Sequence, residues 1–266
     1  MRKQTNSEAW EDWATVNPLW SILTEPTLRE TGWDVEHFFE TGEQAVGALF
    51  AQAAELGLPR QRRRALDFGC GVGRLTRAIA ARVPDTVGLD IAPTMIAKAR
   101  ELNAGLSAAR FEVHASECLG EYADGTFDVV VSLFVLQHVP DLSAIEQYLT
   151  ELVRVLAEGG LAVIQLPYTK PEVASPRTLR ARLALRQRIA LGLRRSGVSA
   201  GFLYRQLGWT PDMPMVAVHQ ERVRELVSES GGTVLCTMAD TDFGGVSNAY
   251  YYISRSTELN LPGSSS

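Results

Sequence analysis

Cysteine is scarce in this sequence: Cys70, Cys118 and Cys236 are the only three among 266 residues. Their number is odd and their spacing wide, and no CxxC pair or zinc-like His/Cys spacing occurs. A disulfide framework and a metal site are therefore not expected, and a reduced, cytoplasmic setting is. No run of about 18 apolar residues is present, so integral membrane association is not expected. Met1 to Trp13 lacks the apolar core of a secretory signal. Positive charge is not in excess either. The formal net charge is −5, whereas a duplex nucleic-acid binder needs a basic stripe to displace counterions. Nucleic acid is thus excluded as an expected partner.

What is present suits one sheet-based domain with an elaborated edge: 45% of residues are apolar, enough for a large core. Residues 1–60 form a helical segment rich in tryptophan (Trp10, Trp13, Trp20, Trp33). Residues 61–168 alternate short apolar runs with helix-like segments. Residues 169–218 are an arginine-rich helical insert, and 219–255 return to a helix and two strand-like runs. The polar tail 256–266 reads as disordered.

The middle region carries the pattern. Strands are predicted at 64–68, 86–91, 109–114, 127–133 and 161–166, and helices at 75–83, 93–102 and 142–156. Phe127 to Leu133 is apolar on both faces, as in the centre of a parallel sheet. Ile145, Tyr148, Leu149, Leu152, Val153 and Leu156 form one helical stripe, with Gly159 expected as its left-handed cap. Strand–helix alternation implies right-handed crossovers. The runs 233–238 and 249–254 read as an antiparallel edge hairpin. The expected fold is α/β: a Rossmann-like, doubly wound, seven-stranded, mostly parallel sheet with an antiparallel edge hairpin, an N-terminal helical segment and a helical cap.

The chemistry concentrates at Ala65-Leu66-Asp67-Phe68-Gly69-Cys70-Gly71-Val72-Gly73-Arg74-Leu75, where a strand enters a glycine-rich turn that opens a helix. Glycines allow a sharp turn and direct approach of a ligand to the peptide groups. A dinucleotide site wants G-x-G-x-x-G, but Arg74 holds the third glycine's position. The actual pattern is D-x-G-x-G-x-G. Asp67, two residues before Gly69, would repel a pyrophosphate and suit an ammonium-bearing ligand. A nicotinamide-dependent oxidoreductase therefore conflicts with the motif. Cys70 reads as a small spacer in the turn.

Asp67 to Gly73 resembles the first signature of class I S-adenosylmethionine-dependent methyltransferases. Val87-Gly88-Leu89-Asp90 resembles the second, Phe127 to Ser132 the fourth-strand signature, and Arg154 to Gly160 the turn before strand five. The resemblance covers roughly residues 60–168. It implies S-adenosylmethionine as cofactor and S-adenosylhomocysteine as product, held by Asp67, Gly69, Gly71 and Gly73, with Leu133 at the end of strand four also against the cofactor. Asp90 would hold the ribose hydroxyls, Ile91 and Met95 would flank the adenine, and Ser116 or Glu117 would stand near its amino group. The loop from Leu133 to Pro140 would meet a small-molecule acceptor. That loop is not the (D/N/S)PPY of enzymes acting on DNA bases or protein amides.

His138 is the candidate general base, since imidazole titrates near neutrality. The alternative is a histidine packed at a helix start. Tyr168, Asp242 and Tyr250 are further candidates for acceptor contact. The N-terminal aromatics suit either a lid over the ligands or a layer covering the sheet. Arg177, Arg180, Arg182, Arg186, Arg188, Arg194 and Arg195, interleaved with Leu179, Leu183, Ile189 and Leu193, suit a solvated helix whose apolar side caps the sheet. A guanidinium-lined mouth for an anionic acceptor, or attachment to anionic membrane, are the other readings. The expected reaction is methyl transfer to an oxygen of a sugar or natural-product intermediate. N-methylation of a small amine and a non-catalytic partner subunit are the alternatives. No sequence feature specifies an oligomeric state.

Overall fold

Three helices precede the first strand, and each has a local reason to start where it does. In α1 (Asn6–Val16), Thr5 and Glu8 form a reciprocal capping box: the Glu8 N–H donates to Thr5 Oγ1 and the Thr5 N–H to the Glu8 carboxylate. Pro18 opens α2 (Pro18–Ile22). Asp34 caps α3 (Val35–Glu55) by accepting the His37 N–H at 2.9 Å. The computed structural model describes residues 4–116, 118–169, 187–211, 213, 215–243 and 246–255, without the side chains of 241–243 and 246.

The sheet follows. In chain order come β1 (Arg64–Phe68), α4 (Arg74–Ala80), β2 (Asp85–Asp90), α5 (Pro93–Leu102), β3 (Ala109–Val113), β4 (Phe127–Ser132), α6 (Leu142–Arg154) and β5 (Leu156–Pro167). Helix α7 is described over 187–195, then α8 (Ala200–Leu207), α9 (Gln220–Glu229), β6 (Thr233–Phe243) and β7 (Val246–Ser254) complete the chain. The seven strands lie in the order β3-β2-β1-β4-β5-β7-β6. The first five are parallel, β7 is antiparallel to β5, and β6 is antiparallel to β7. This is the doubly wound, mostly parallel sheet with an antiparallel edge pair that the sequence predicts.

All six residues of β4 are buried, because helices cover both faces of the sheet. Val130 packs with Leu66, Ile145, Leu149, Leu152, Ile164 and Val227 on the side of α6 and α9. Its neighbours Val129 and Val131 face the opposite way, against Val46, Leu49, Leu75 and Ile79 of α3 and α4. Arg154, at the end of α6, clamps the loop before β4. Its guanidinium donates to Leu119 O, Tyr122 O and Asp124, and pairs with Glu151. That pairing holds the Glu151 carboxyl down at about 2.

Two expectations are corrected. Gly159 does not cap α6, which ends on Val155. Strand β5 already begins at Leu156, because Phe127 pairs with Leu156 before the register shifts. Gly159 sits in that irregularity at φ 69. There its carbonyl accepts the Arg60 N–H and its own N–H donates to Arg255 O. In α7 the expected apolar side points outward: Ile189 is 54% exposed and Leu193 39% exposed. The inward residues are Ala190, packed with Ala200, Leu203 and Trp209, and Arg194. The reason is Asp12 on α1, buried to 3% exposure. It needs a counter-charge, and Arg194 supplies one at 2.8 Å. Arg177, Leu179, Arg180, Arg182, Leu183, Arg186 and the tail 256–266 lie outside the described residues. Among the described residues no helix is long and apolar enough to cross a membrane.

Candidate active site

Strand β1 stops at Phe68 and the chain turns over the end of β2. The N–H groups of Gly69 and Cys70 both donate to Leu89 O at 2.8 Å. Gly69 and Gly71 have φ of 80 and 55, a region that side-chain-bearing residues avoid. Space forbids a side chain as well. A Cβ on Gly69 would lie 2.3 Å from Val135 Cγ2, and one on Gly71 2.5 Å from Ile22 Cδ1. The loop after β4 and helix α2 thus press onto the turn through Val135 and Ile22, which fill the space that side chains on Gly69 and Gly71 would need.

Beside that turn, Asp90 ends β2. Its Oδ2 accepts the Gly71 N–H and its Oδ1 the Ala92 N–H, each at 2.9 Å. Burial raises its proton affinity, and these backbone donors pull it back. An ionised carboxylate has about four lone-pair sites, so acceptor capacity remains on Asp90 for a ligand's hydroxyls.

A cavity of about 700 Å³ opens over the turn. Phe68, Gly69 and Gly71 form its floor. Asp90, Ile91 and Met95 line one side, with His114 nearby. Trp10 of α1, Ile22 of α2, and Leu23 and Glu25 just after α2 also line it. Leu133, Phe134, Val135, Gln137 and His138 form the far end, with Asn248, Tyr148, Met213 and Met215. The structure therefore brings Gly69, Gly71, Asp90, Ile91, Met95, Leu133 and His138 onto one cavity.

Other predicted residues stand elsewhere. Gly73 packs against Phe111 and Asn103. Ser116 is exposed and accepts the Cys118 N–H, and Glu117 lies outside the described residues. Tyr168 and Tyr250 are not in the lining, and the Asp242 side chain is not described. Cys70 is buried among Ile96, Ala99 and Phe111.

Asp67 is turned under the loop instead of onto the cavity wall. It is 1% exposed, and Thr76 Oγ1 donates to its Oδ2 at 2.6 Å. Burial pushes its carboxyl up to about 6, against the pull of Thr76 and of the Arg74 guanidinium. The folded protein therefore holds this proton to a higher pH than the unfolded chain does. Stability contributed by Asp67 is greatest below the unfolded value near 3.8 and declines as pH rises through about 6. Asp67→Asn keeps the Thr76 acceptor and removes the titration. Urea unfolding of wild type and variant is expected to show a difference that changes by roughly 3 kcal/mol between pH 4 and 7, wild type losing ground as pH rises. A pH-independent difference would refute this.

The far end of the cavity is built on a strained turn. Phe134 has φ 61 without being glycine, a conformation that surrounding contacts must hold. The contact is polar: the Phe134 N–H donates to Gln165 Oε1 at 2.8 Å. Gln165 Nε2 donates to Asn248 Oδ1 at 2.6 Å and to Gln137 Oε1 at 3.3 Å. Gln137 Nε2 lies 3.0 Å from His138 Nε2. His138 is 6% exposed, and the Trp10 ring meets its imidazole edge-on at 5.4 Å. Gln165 and Asn248 escaped sequence reasoning. One signal was available: a glutamine inside the otherwise apolar run Leu161 to Leu166, on a strand buried on both faces. His114 also escaped; it follows β3 and pairs with Glu121 at 2.8 Å.

Comparison with known proteins adds three findings. Residues 66–164 match the family model described as a methyltransferase domain. A ubiquinone biosynthesis O-methyltransferase from Methylococcus capsulatus is 33% identical over 124 residues, covering 46% of this chain and 52% of that protein. One from Psychrobacter arcticus is 35% identical over 131 residues, covering 48% and 49%. The chain thus matches about half the length of these curated relatives. Among solved structures, a SAM-dependent methyltransferase from Leishmania major superposes with a TM-score of 0.61 at 16% identity, covering 94% of this chain and 82% of that one. A magnesium protoporphyrin IX methyltransferase from Synechocystis with bound SAH gives 0.50 at 20% identity, covering 81% and 83%. At these identities the structures speak for the fold.

Proposed function

We propose that this chain, whose residues 66–164 match a methyltransferase domain, is a class I S-adenosylmethionine-dependent enzyme that methylates an oxygen of a small, largely apolar acceptor. One observation carries the reading: the glycine floor, the Asp90 carboxylate and His138 line the same cavity. The residues present fit the cofactor. Gly69 and Gly71 line the cavity with peptide groups that carry no side chain. Asp90 offers a carboxylate to a ribose diol, and Ile91 and Met95 offer an apolar slot for a base. When bound, the sulfonium supplies an already activated methyl group, so the protein's work is positioning, exclusion of water and removal of a proton.

Helices α1 and α2 supply the exclusion by placing Trp10, Ile22 and Leu23 over the cavity. Leu133 to His138 would carry the acceptor, with His138 taking its hydroxyl proton. Phe134, Val135, Tyr148, Met213 and Met215 suit an apolar ring system better than a sugar, whose hydroxyls would need partners there. No lysine or arginine occurs among the described lining residues, which favours an uncharged small molecule over a phosphate-bearing acceptor or nucleic acid. The O-methyltransferase relatives support oxygen over nitrogen. Three unpaired cysteines suit a reduced cytoplasm.

Calorimetric titration with S-adenosylmethionine, S-adenosylhomocysteine and NADH tests the reading. Micromolar binding of the first two and none of the third is expected. Binding of NADH alone would overturn it.

A further inference from the structure

A backbone N–H can donate and cannot accept. The Phe134 N–H lies 2.8 Å from the Gln165 side chain, so the amide atom facing it is the carbonyl oxygen, and the amide nitrogen points the other way. That nitrogen has two hydrogens, and two oxygens receive them, Asn248 Oδ1 and Gln137 Oε1. Gln137 is then oriented in turn. With its oxygen turned to Gln165, its nitrogen faces His138 Nε2 at 3.0 Å. An amide nitrogen is only a donor, so His138 Nε2 must present a lone pair, and the ring proton must sit on Nδ1.

From this chain of orientations we infer that Gln165 is a positioning residue: through Gln137 it holds His138 as the tautomer protonated on Nδ1, with its basic lone pair on Nε2. Every link is buried: Gln165 is 0% exposed and Gln137 7%. Water therefore cannot easily stand in for a reversed amide. Reversing one link would put two donors or two acceptors face to face at the next, so the polarity set by one peptide N–H carries to the imidazole. That same N–H belongs to the strained residue of the loop. One glutamine thus fixes both the loop's conformation and the proton's position on the ring. The catalytic meaning rests on the methyl-transfer reading, in which the acceptor's hydroxyl displaces the Gln137 N–H from the single lone pair of Nε2 and passes its proton there; the tautomer itself does not.

Long-range proton–nitrogen NMR on uniformly ¹⁵N-labelled protein, near pH 7.5 and without ligand, reads the tautomer. His138 is assigned by the signals lost in His138→Gln. Wild type is expected to show a protonated Nδ1 and a bare Nε2; the opposite pattern overturns the inference on its own. In Gln165→Glu both carboxylate oxygens accept, so Gln137 must reverse and His138 must move its proton to Nε2. Gln137→Glu forces the same reversal at the cavity wall if a charge at position 165 prevents folding. A folded variant that keeps the wild-type tautomer refutes the relay. Where an acceptor turns over, kcat should fall roughly tenfold to hundredfold in the reversed variants, with KM for S-adenosylmethionine unchanged. Unchanged kcat with a reversed tautomer removes the positioning role while leaving methyl transfer standing.

Discussion

An Asp90→Ala protein is expected to bind S-adenosylhomocysteine about 100-fold to 10,000-fold more weakly than wild type. The range follows from two charge-assisted hydrogen bonds to a ribose diol, each worth about 1.5–3 kcal/mol. Asp90 lines the cavity beside Gly69 and Gly71. The substitution also strips acceptors from the Gly71 and Ala92 N–H groups. Stability should therefore fall by roughly 1–3 kcal/mol for each such N–H left buried. Asp90→Asn separates the two effects. Its carbonyl oxygen keeps one backbone partner while the charge is gone, so affinity should fall with a smaller stability loss. Calorimetry measures the first quantity and urea unfolding the second. A folded Asp90→Ala protein with wild-type affinity would remove Asp90 from the cofactor site.

His138→Gln is expected to lower kcat by roughly 100-fold to 10,000-fold, the usual contribution of a general base. Affinity for S-adenosylhomocysteine should stay unchanged, because Asp90, Ile91 and Met95 come from β2 and α5 and His138 from the loop after β4. Glutamine fills similar space and still offers an acceptor to Gln137, so a turnover loss would not reflect a collapsed wall. Single-turnover assays with a competent acceptor read the chemical step directly. Near-native turnover would make His138 a packing residue held by Trp10 and Gln137.

The strands and glycine turn were readable from sequence because each rests on local physics. The run Phe127 to Val131 has no polar residue to turn outward except Asp128. That carboxylate accepts the Arg63 and Arg64 N–H groups at the strand's edge. Gly69 and Gly71 announce a backbone that only glycine tolerates. Asp90 was readable because it ends the strand beside that turn. What depends on distant partners was not. Asp67 looked like a ligand group until the fold brought Thr76 and Arg74 around it. The outward face of α7 follows from Asp12, which is 182 residues away from Arg194. Gly159 resembled a helix cap in sequence, but pairing of Phe127 with Leu156 decided where the strand starts. The relay through Gln165 joins residues of the β4 loop, β5 and β7, and no sequence window spans them.

The place of β7 between β5 and β6 has a consequence for biosynthesis. Asn248 joins Gln165 across 83 residues of chain. At about 5–20 residues per second on a ribosome, the glutamine waits roughly 4–17 seconds for its partner to be made. Through that interval β5 presents an open edge where β7 will pair, and the loop bearing His138 lacks one of its anchors. The nascent domain can assemble its nucleoside floor from β1, β2 and β4 well before the far end of the cavity is braced, so ligand-binding competence should precede catalytic competence during synthesis.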